Sequence, residues 1–315
     1  MRTALITGCL GQDGYYLTDL LMRRGYRVAG TDSAAPPAYA GDFIALDLTE
    51  DSALAALVRT MKPDEIYHLA AYHHSSAERP LDHKTLETSL NVNTVPLGSL
   101  LETIAEFTPR TRLFYAASSR VFGSPAVSPQ DEQTPLAPTC AYGISKTAGI
   151  HLCRIYRESR SVFVSVGILY NHESPRRNPS FVTRKITQGA ARAALGRPMA
   201  ITLQNGSARV DWGSAQDFVR AMADILTLDD PGEFVIATGQ THSVREFADL
   251  AFAHVGLNAR DFIQDSGCAA TTTTPICGDS RRLREKTGWL PRISLAQIAA
   301  TMVDADLETE RLEKR

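Results

Sequence analysis

TALITGCLGQDGYYL, residues 3–17, decides how the rest of the chain is read. An apolar, partly β-branched run ends at Thr7, glycines follow at positions 8, 11 and 14, and an amphipathic pattern begins at once. Glycine suits such a turn because the backbone bends sharply and must come close to an anion, while the helix opening there offers free N–H groups to it. Tyr16, Leu17, Leu20 and Leu21 form one face of that helix, and Gly25 supplies its stop. Strand, glycine turn and helix make the first unit of a nucleotide-binding βαβ arrangement.

Further runs of the same kind lie at residues 26–32, 43–48, 65–71, 112–118 and 163–170, each continuously apolar as in strands buried on both faces. Their alternation with helical stretches predicts an α/β fold, a Rossmann-type doubly wound parallel sheet with a smaller C-terminal α/β substrate lobe. Residues 1–172 are expected to form the dinucleotide-binding domain, with later segments returning to it, and residues 173–315 mainly the substrate lobe. After about residue 172 the rhythm gives way to a Pro, Arg and Asn-rich loop at 174–179 and a helix near 181–196. The threonine run at 271–274 reads as loop.

The composition narrows the partners. With 33 basic and 35 acidic residues the net charge is −2, which provides no strong field for nucleic acid or an anionic membrane. Five cysteines, at 9, 140, 153, 268 and 277, form no CxxC pair and fit a reducing compartment. No apolar run approaches the ~18 residues of a membrane span, and no apolar leader precedes the first strand. A soluble, cytoplasmic protein whose partners are small molecules and copies of itself is the expectation.

Asp32 ends the second strand, where a carboxylate accepts both ribose hydroxyls of an adenosine and repels a 2′-phosphate, so NAD is expected rather than NADP. Asp47 and Leu48, closing the third strand, are placed at an adenine edge. In AYGISK, Tyr142 and Lys146 stand four apart and share a helix face. An ammonium beside a phenol favours phenolate and draws its pKa from about 10 towards neutrality. Such a tyrosine takes the proton of a sugar hydroxyl while hydride leaves to nicotinamide, and Ser118 is the second donor to the reacting oxygen. Adjacent His73 and His74 point to opposite sides of a strand end, so no metal is expected.

TGCLGQDGYYL, YHLAAYHHS, AYGISK, GILYNHESPRRNPSFVTRKI, DWGSAQDFV, EFVIATGQTHSVREF and GWLPRISL together resemble the extended short-chain dehydrogenase/reductases, and within them the GDP-mannose 4,6-dehydratase family. The resemblance covers nearly the whole chain. It implies cofactor contacts at Gly8, Gly11, Gln12, Asp13, Gly14, Leu69, Ala70, Ala71, Tyr142 and Lys146, with His74 at the cofactor's edge. It implies substrate contacts at Ser119, Asn171, Arg177 and Lys185 and a homodimer or homotetramer, and Arg120 and Arg209 are further candidate substrate contacts of this chain.

Four positions depart from that family. Its dehydratases carry, after the serine pair, a glutamate that removes the sugar C5 proton before water leaves C6; here the residue is Arg120, which cannot serve as a base. A diphosphate-binding arginine precedes Asp-Trp in the family, whereas this chain has Val210, with Arg209 one step earlier and therefore on the other strand face. The family's Arg-Pro-x-Glu grip aligns with Ala269–Thr272. Losing two cations costs about 1.5–3 kcal/mol each unless Arg120, Arg176, Arg177 or Lys185 compensates. Asp32 replaces arginines that suit NADP. Arg120 itself either turns outward to the surface or faces the pocket and binds an anionic group through its fork.

The expected protein is an NAD-dependent enzyme that oxidises a hydroxyl of a nucleotide-linked or phosphorylated sugar to a keto intermediate and then epimerises or releases it, without 4,6-elimination. Two alternatives stand beside it. One is a GDP-mannose 4,6-dehydratase with a substituted base. The other is an NAD-binding regulatory protein without turnover, which has no use for an intact Ser118, Tyr142 and Lys146.

Overall fold

The computed structural model of the chain describes residues 1–312 apart from residues 37, 74–81, 198 and 267–273. His74, the stretch 269–272 and threonines 271–273 thus lie outside the described residues.

The chain opens with β1 (Thr3–Thr7), α1 (Gln12–Arg23), β2 (Arg27–Asp32), β3 (Asp42–Ala45), α2 (Asp51–Met61) and β4 (Glu65–His68). It continues through α3 (His83–Asn93), α4 (Val95–Phe107), β5 (Arg112–Ser118), α5 (Ala141–Arg160), β6 (Val164–Leu169) and β7 (Asn171–Glu173). The later part includes α6 (Val182–Ala194), β8 (Ile201–Leu203), β9 (Arg209–Ser214), α7 (Ala215–Ile225), β10 (Glu233–Ile236) and β11 (Thr241–Ser243). It closes with α8 (Val244–His254), β12 (Ile263–Asp265), α9 (Arg281–Thr287) and α10 (Leu295–Leu312).

Seven strands form one sheet in the order β10-β6-β5-β4-β1-β2-β3. Every neighbouring pair in it is parallel. The six strands read from the sequence are all present. β3 is shorter than its apolar run because Asp47 accepts the Thr49 N–H at 2.9 Å and turns the chain away. β4 ends at His68, and Leu69–Ala71 leave the sheet at its carboxyl edge. The strand order reverses at β1, so the connections from β1 and β4 diverge to opposite faces and open a crevice at the carboxyl edge.

Two hydrophobic cores result. The larger joins the sheet strands to α7, β10, Leu283 and Trp289, which return to it from late in the chain. The smaller packs α6, α8 and α10 around Trp212 and Ile201. β9 runs between them. Alternation along it turns Val210 and Trp212 one way and Asp211 the other, where its buried carboxylate accepts N–H bonds from Thr238, Gly239 and Gly278 at 3.0–3.2 Å. Those three donors belong to two returning loops, so one side chain anchors them to the strand that faces the crevice.

Asp211→Ala leaves these donors without their acceptor and is expected to cost about 3 kcal/mol of stability. Urea unfolding measures the loss, and Asp211→Asn should recover part of it.

Candidate active site

The crevice at the reversal of the sheet is a cavity of about 610 Å³. Its floor is the glycine turn after β1. Gly8 has φ +71°, and a Cβ there would stand 2.7 Å from the Ala70 Cα, while a Cβ on Gly14 would stand 2.4 Å from the Gly8 carbonyl. The turn therefore closes tightly against both β4 and its own helix. Gly11 is the N-cap of α1, and no side chain caps it, which leaves the first N–H groups of α1 available to an anion. Asp32 stands at the tip of β2, where its carboxylate accepts the N–H groups of Leu10 at 3.2 Å and Ser33 at 2.9 Å.

β5 delivers Ser118 to the cavity wall, and α5 brings Tyr142 and Lys146 on successive turns. Cys140 caps α5, its sulfur accepting the Gly143 N–H at 3.4 Å, and so fixes the turn that carries Tyr142. Lys146 is buried, with Nζ 5.0 Å from the Tyr115 ring centre and 5.7 Å from that of Tyr142. Among the described residues no carboxylate pairs with it. Burial therefore pushes the Lys146 ammonium down to about 7. The Tyr142 phenol is pushed up by burial, against the opposing pull of the Arg177 guanidinium and the Ser118 hydroxyl. This corrects the expectation that the lysine charge dominates: in this cavity desolvation outweighs it, and each group taken alone is driven towards its neutral form.

Of the residues singled out in the sequence, Gly8, Gly11, Gln12, Asp13, Gly14, Leu69, Ala71 and Asn171 line the cavity, as do Arg120, Arg177 and Lys185. Ala70 packs behind the turn against Gly8. Ser119 is buried in the 3-10 turn at Ser119–Phe122, Leu48 lies in the larger core and Asp47 is taken up by its own turn. The lining does not include Arg209, which bonds to Thr241 and faces Glu246 at 3.6 Å, while Val210 and Trp212 do face inward. Glu132 accepts the Val235 N–H at 2.7 Å, and Glu173 accepts the Thr183 hydroxyl at 2.6 Å; neither lines the cavity.

Long-range contacts add what the motifs did not reveal. His172 sets Nε2 2.9 Å from both oxygens of Asp13, and Gln12 donates from Nε2 to the His172 carbonyl at 3.0 Å while accepting the Ser174 hydroxyl at 2.7 Å. Burial lowers the His172 pKa, but the Asp13 charge and hydrogen bond reverse this and leave it raised. The same pairing overcomes the upward push of burial on Asp13 and leaves it lowered. This clamp ties the start of α1 to β7. His73 packs against Tyr142 with ring centres 4.4 Å apart and planes tilted by 37°, and joins the lining. Arg176 lies over the Tyr15 ring at 4.1 Å, in a groove beside the cavity. Only the glycines and the doubled arginines hinted at these contacts in the sequence.

The chain matches the family model for GDP-mannose 4,6 dehydratase over residues 5–302. It is 37% identical to GDP-mannose 4,6 dehydratase 2 of Arabidopsis thaliana, in an alignment covering 99% of this chain and 89% of that protein. Its fold is similar to dTDP-glucose 4,6-dehydratase of Bacillus anthracis in complex with NAD, with a TM-score of 0.83, 16% identity and coverage of 99% and 98% of the two chains. UDP-glucose 4-epimerase of Thermotoga maritima with UDP-glucose gives a TM-score of 0.84 at 19% identity, covering 99% and 100%. At these identities the structural likeness concerns the fold.

Lys146→Met removes a buried, unpaired cation and is expected to stabilise the cofactor-free protein at pH 6 by on the order of 3 kcal/mol. Because the folded pKa is depressed to about 7, the unfolded chain binds the extra proton between about pH 7 and the ordinary lysine value. The margin should therefore shrink as pH rises through that window. Chemical denaturation of both proteins from pH 6 to 10 measures it, and a margin independent of pH contradicts the assignment.

Proposed function

The chain belongs to the GDP-mannose 4,6-dehydratase family, and on that premise we propose that it oxidises a hydroxyl of a nucleotide-linked sugar with NAD and then epimerises or releases the keto sugar, without 4,6-elimination. The observation that carries this reading is the charge pattern of one cavity. Ser118, Tyr142 and Lys146 meet there, while Asp13 is its only carboxylate among the described residues and is committed to His172. A hydroxyl can be oxidised in such a site, but among the described residues a proton next to the resulting carbonyl finds no free carboxylate to take it.

NAD fits the residues present. The pyrophosphate is assigned to the glycine turn and the uncapped start of α1, and the adenosine ribose to Asp32. When bound, NAD supplies the acceptor for the carbinol hydride. The sugar nucleotide is assigned to the opposite wall, made by α6, β8 and β9, where Val210, Trp212 and Lys185 face the cavity.

Tyr142 and Lys146 then act as a coupled pair. Lys146, with a pKa of about 7, is protonated in part at neutral pH, and its ammonium favours phenolate over phenol at the neighbouring Tyr142. The Lys146 charge offsets part of the burial penalty on a phenolate and so readies Tyr142 to take the sugar hydroxyl's proton. Ser118 holds the same oxygen through its hydroxyl.

A dehydratase with a substituted base is the second reading. Its specific support is His73, an imidazole in the lining and packed against Tyr142.

Single-turnover absorbance of reduced cofactor, with a panel of GDP-, UDP- and CDP-sugars, tests the oxidation step. Tyr142→Phe is expected to slow that step at least ~100-fold with little change in sugar affinity. Tight NAD binding with no reduction by any sugar would contradict the proposal and favour a regulatory protein.

A further inference from the structure

We propose that Arg120 selects a sugar bearing a carboxylate on the ring carbon next to the oxidised one, so that the substrates are nucleotide-linked hexuronates. The inference rests on the oxidation proposed above and narrows its substrate.

Arg120 lines the same cavity as Ser118, Tyr142 and Lys146. It sits two residues beyond Ser118, whose hydroxyl accepts the Arg120 N–H at 3.3 Å. The turn that carries it packs on the first turn of α5, since a Cβ on Gly143 would lie 2.6 Å from the Arg120 carbonyl. Arg120 is thereby tied both to the serine that holds the reacting oxygen and to the turn that presents Tyr142.

The guanidinium contacts the Cys140 sulfur at 3.9 Å, and among the described residues no carboxylate lies within ion-pair distance of it. The other charged groups of the lining are differently placed. Asp13 is held by His172, and Arg177 is paired with buried Glu173 at 3.4 Å and stacked on Phe181 at 3.8 Å. Lys146 is buried behind Tyr142, and Lys185 belongs to the wall built by α6. In the same cavity as Ser118 and Tyr142 there is thus a planar, two-pronged cation whose anion no described residue supplies.

A hydroxymethyl group leaves that fork unmatched. A carboxylate bonded directly to the ring is planar, meets the fork through two parallel hydrogen bonds and stays close to the neighbouring hydroxyl. A phosphate ester offers the same chemistry but swings out on two more bonds. Its source is therefore distinguishable.

The test compares equilibrium binding, in the presence of NAD, and turnover for GDP-mannuronate and UDP-glucuronate against GDP-mannose and UDP-glucose, with mannose 6-phosphate and glucose 6-phosphate as the phosphate arm. The preferred uronate nucleotide is expected to bind ~10- to 100-fold more tightly than its neutral counterpart. Arg120→Gln should abolish the margin and Arg120→Lys should keep part of it; both exposed substitutions leave the fold intact by circular dichroism. Equal affinity for uronate and neutral sugars, or a margin that survives Arg120→Gln, overturns the inference. Arg120-dependent binding led by a hexose phosphate overturns the carboxylate. Arg120-dependent uronate binding without any keto sugar defeats the proposed oxidation and leaves this assignment standing. Keto sugar formed equally from neutral sugars by parent and variant does the reverse.

Discussion

Burial of an amine and a phenol in one cavity, with no carboxylate beside the amine among the described residues, is the constraint on which the site depends. Water would let Lys146 stay charged and Tyr142 stay an ordinary phenol. The cavity instead penalises each charge singly, so a phenolate at Tyr142 depends on an ammonium at Lys146 beside it. The sheet provides that environment. Its reversal at β1 opens the crevice, the glycine turn seals the floor, and β9 closes the far wall with Val210 and Trp212. Asp211 and the Asp13–His172 clamp hold the two cores against one another around this space.

Charge also distinguishes this cavity from the pattern its family resemblance implies. An arginine stands where a glutamate is expected, and an apolar valine stands where an arginine is expected. The lining thereby gains a cation at Arg120 and has an apolar side chain at position 210 of the β9 wall. On the proposed function, this exchanges a base at the α-carbon for an anion-binding group and replaces elimination with hydride chemistry.

Most of the sheet was legible because β1, β2, β4, β5 and β6 are largely buried and carry continuous apolar runs, which local pattern detects. Tyr142, Lys146 and Ser118 were legible for a similar reason: helix spacing and the end of a strand fix them locally. The Asp13–His172 pair spans 159 residues, and no spacing rule reaches that far. The one-residue phase on β9 was readable, and it turns Val210 rather than Arg209 into the cavity. The direction of the Tyr142 shift was misjudged, since sequence reveals a neighbouring lysine but not how completely both groups leave water. β10 is short, and only tertiary pairing with β6 places it in the main sheet.

The central claim is that the cavity oxidises a sugar without removing a proton from the neighbouring carbon. Incubating the protein and NAD with the sugar nucleotide panel in deuterium oxide, and reading products by mass spectrometry and NMR, tests it most directly. The account predicts a keto sugar or an epimer that retains its oxygen and carries no solvent deuterium at the carbon next to the carbonyl. Deuterium at C5 together with loss of water from GDP-mannose would contradict it and would place a working base, such as His73, where the account finds none.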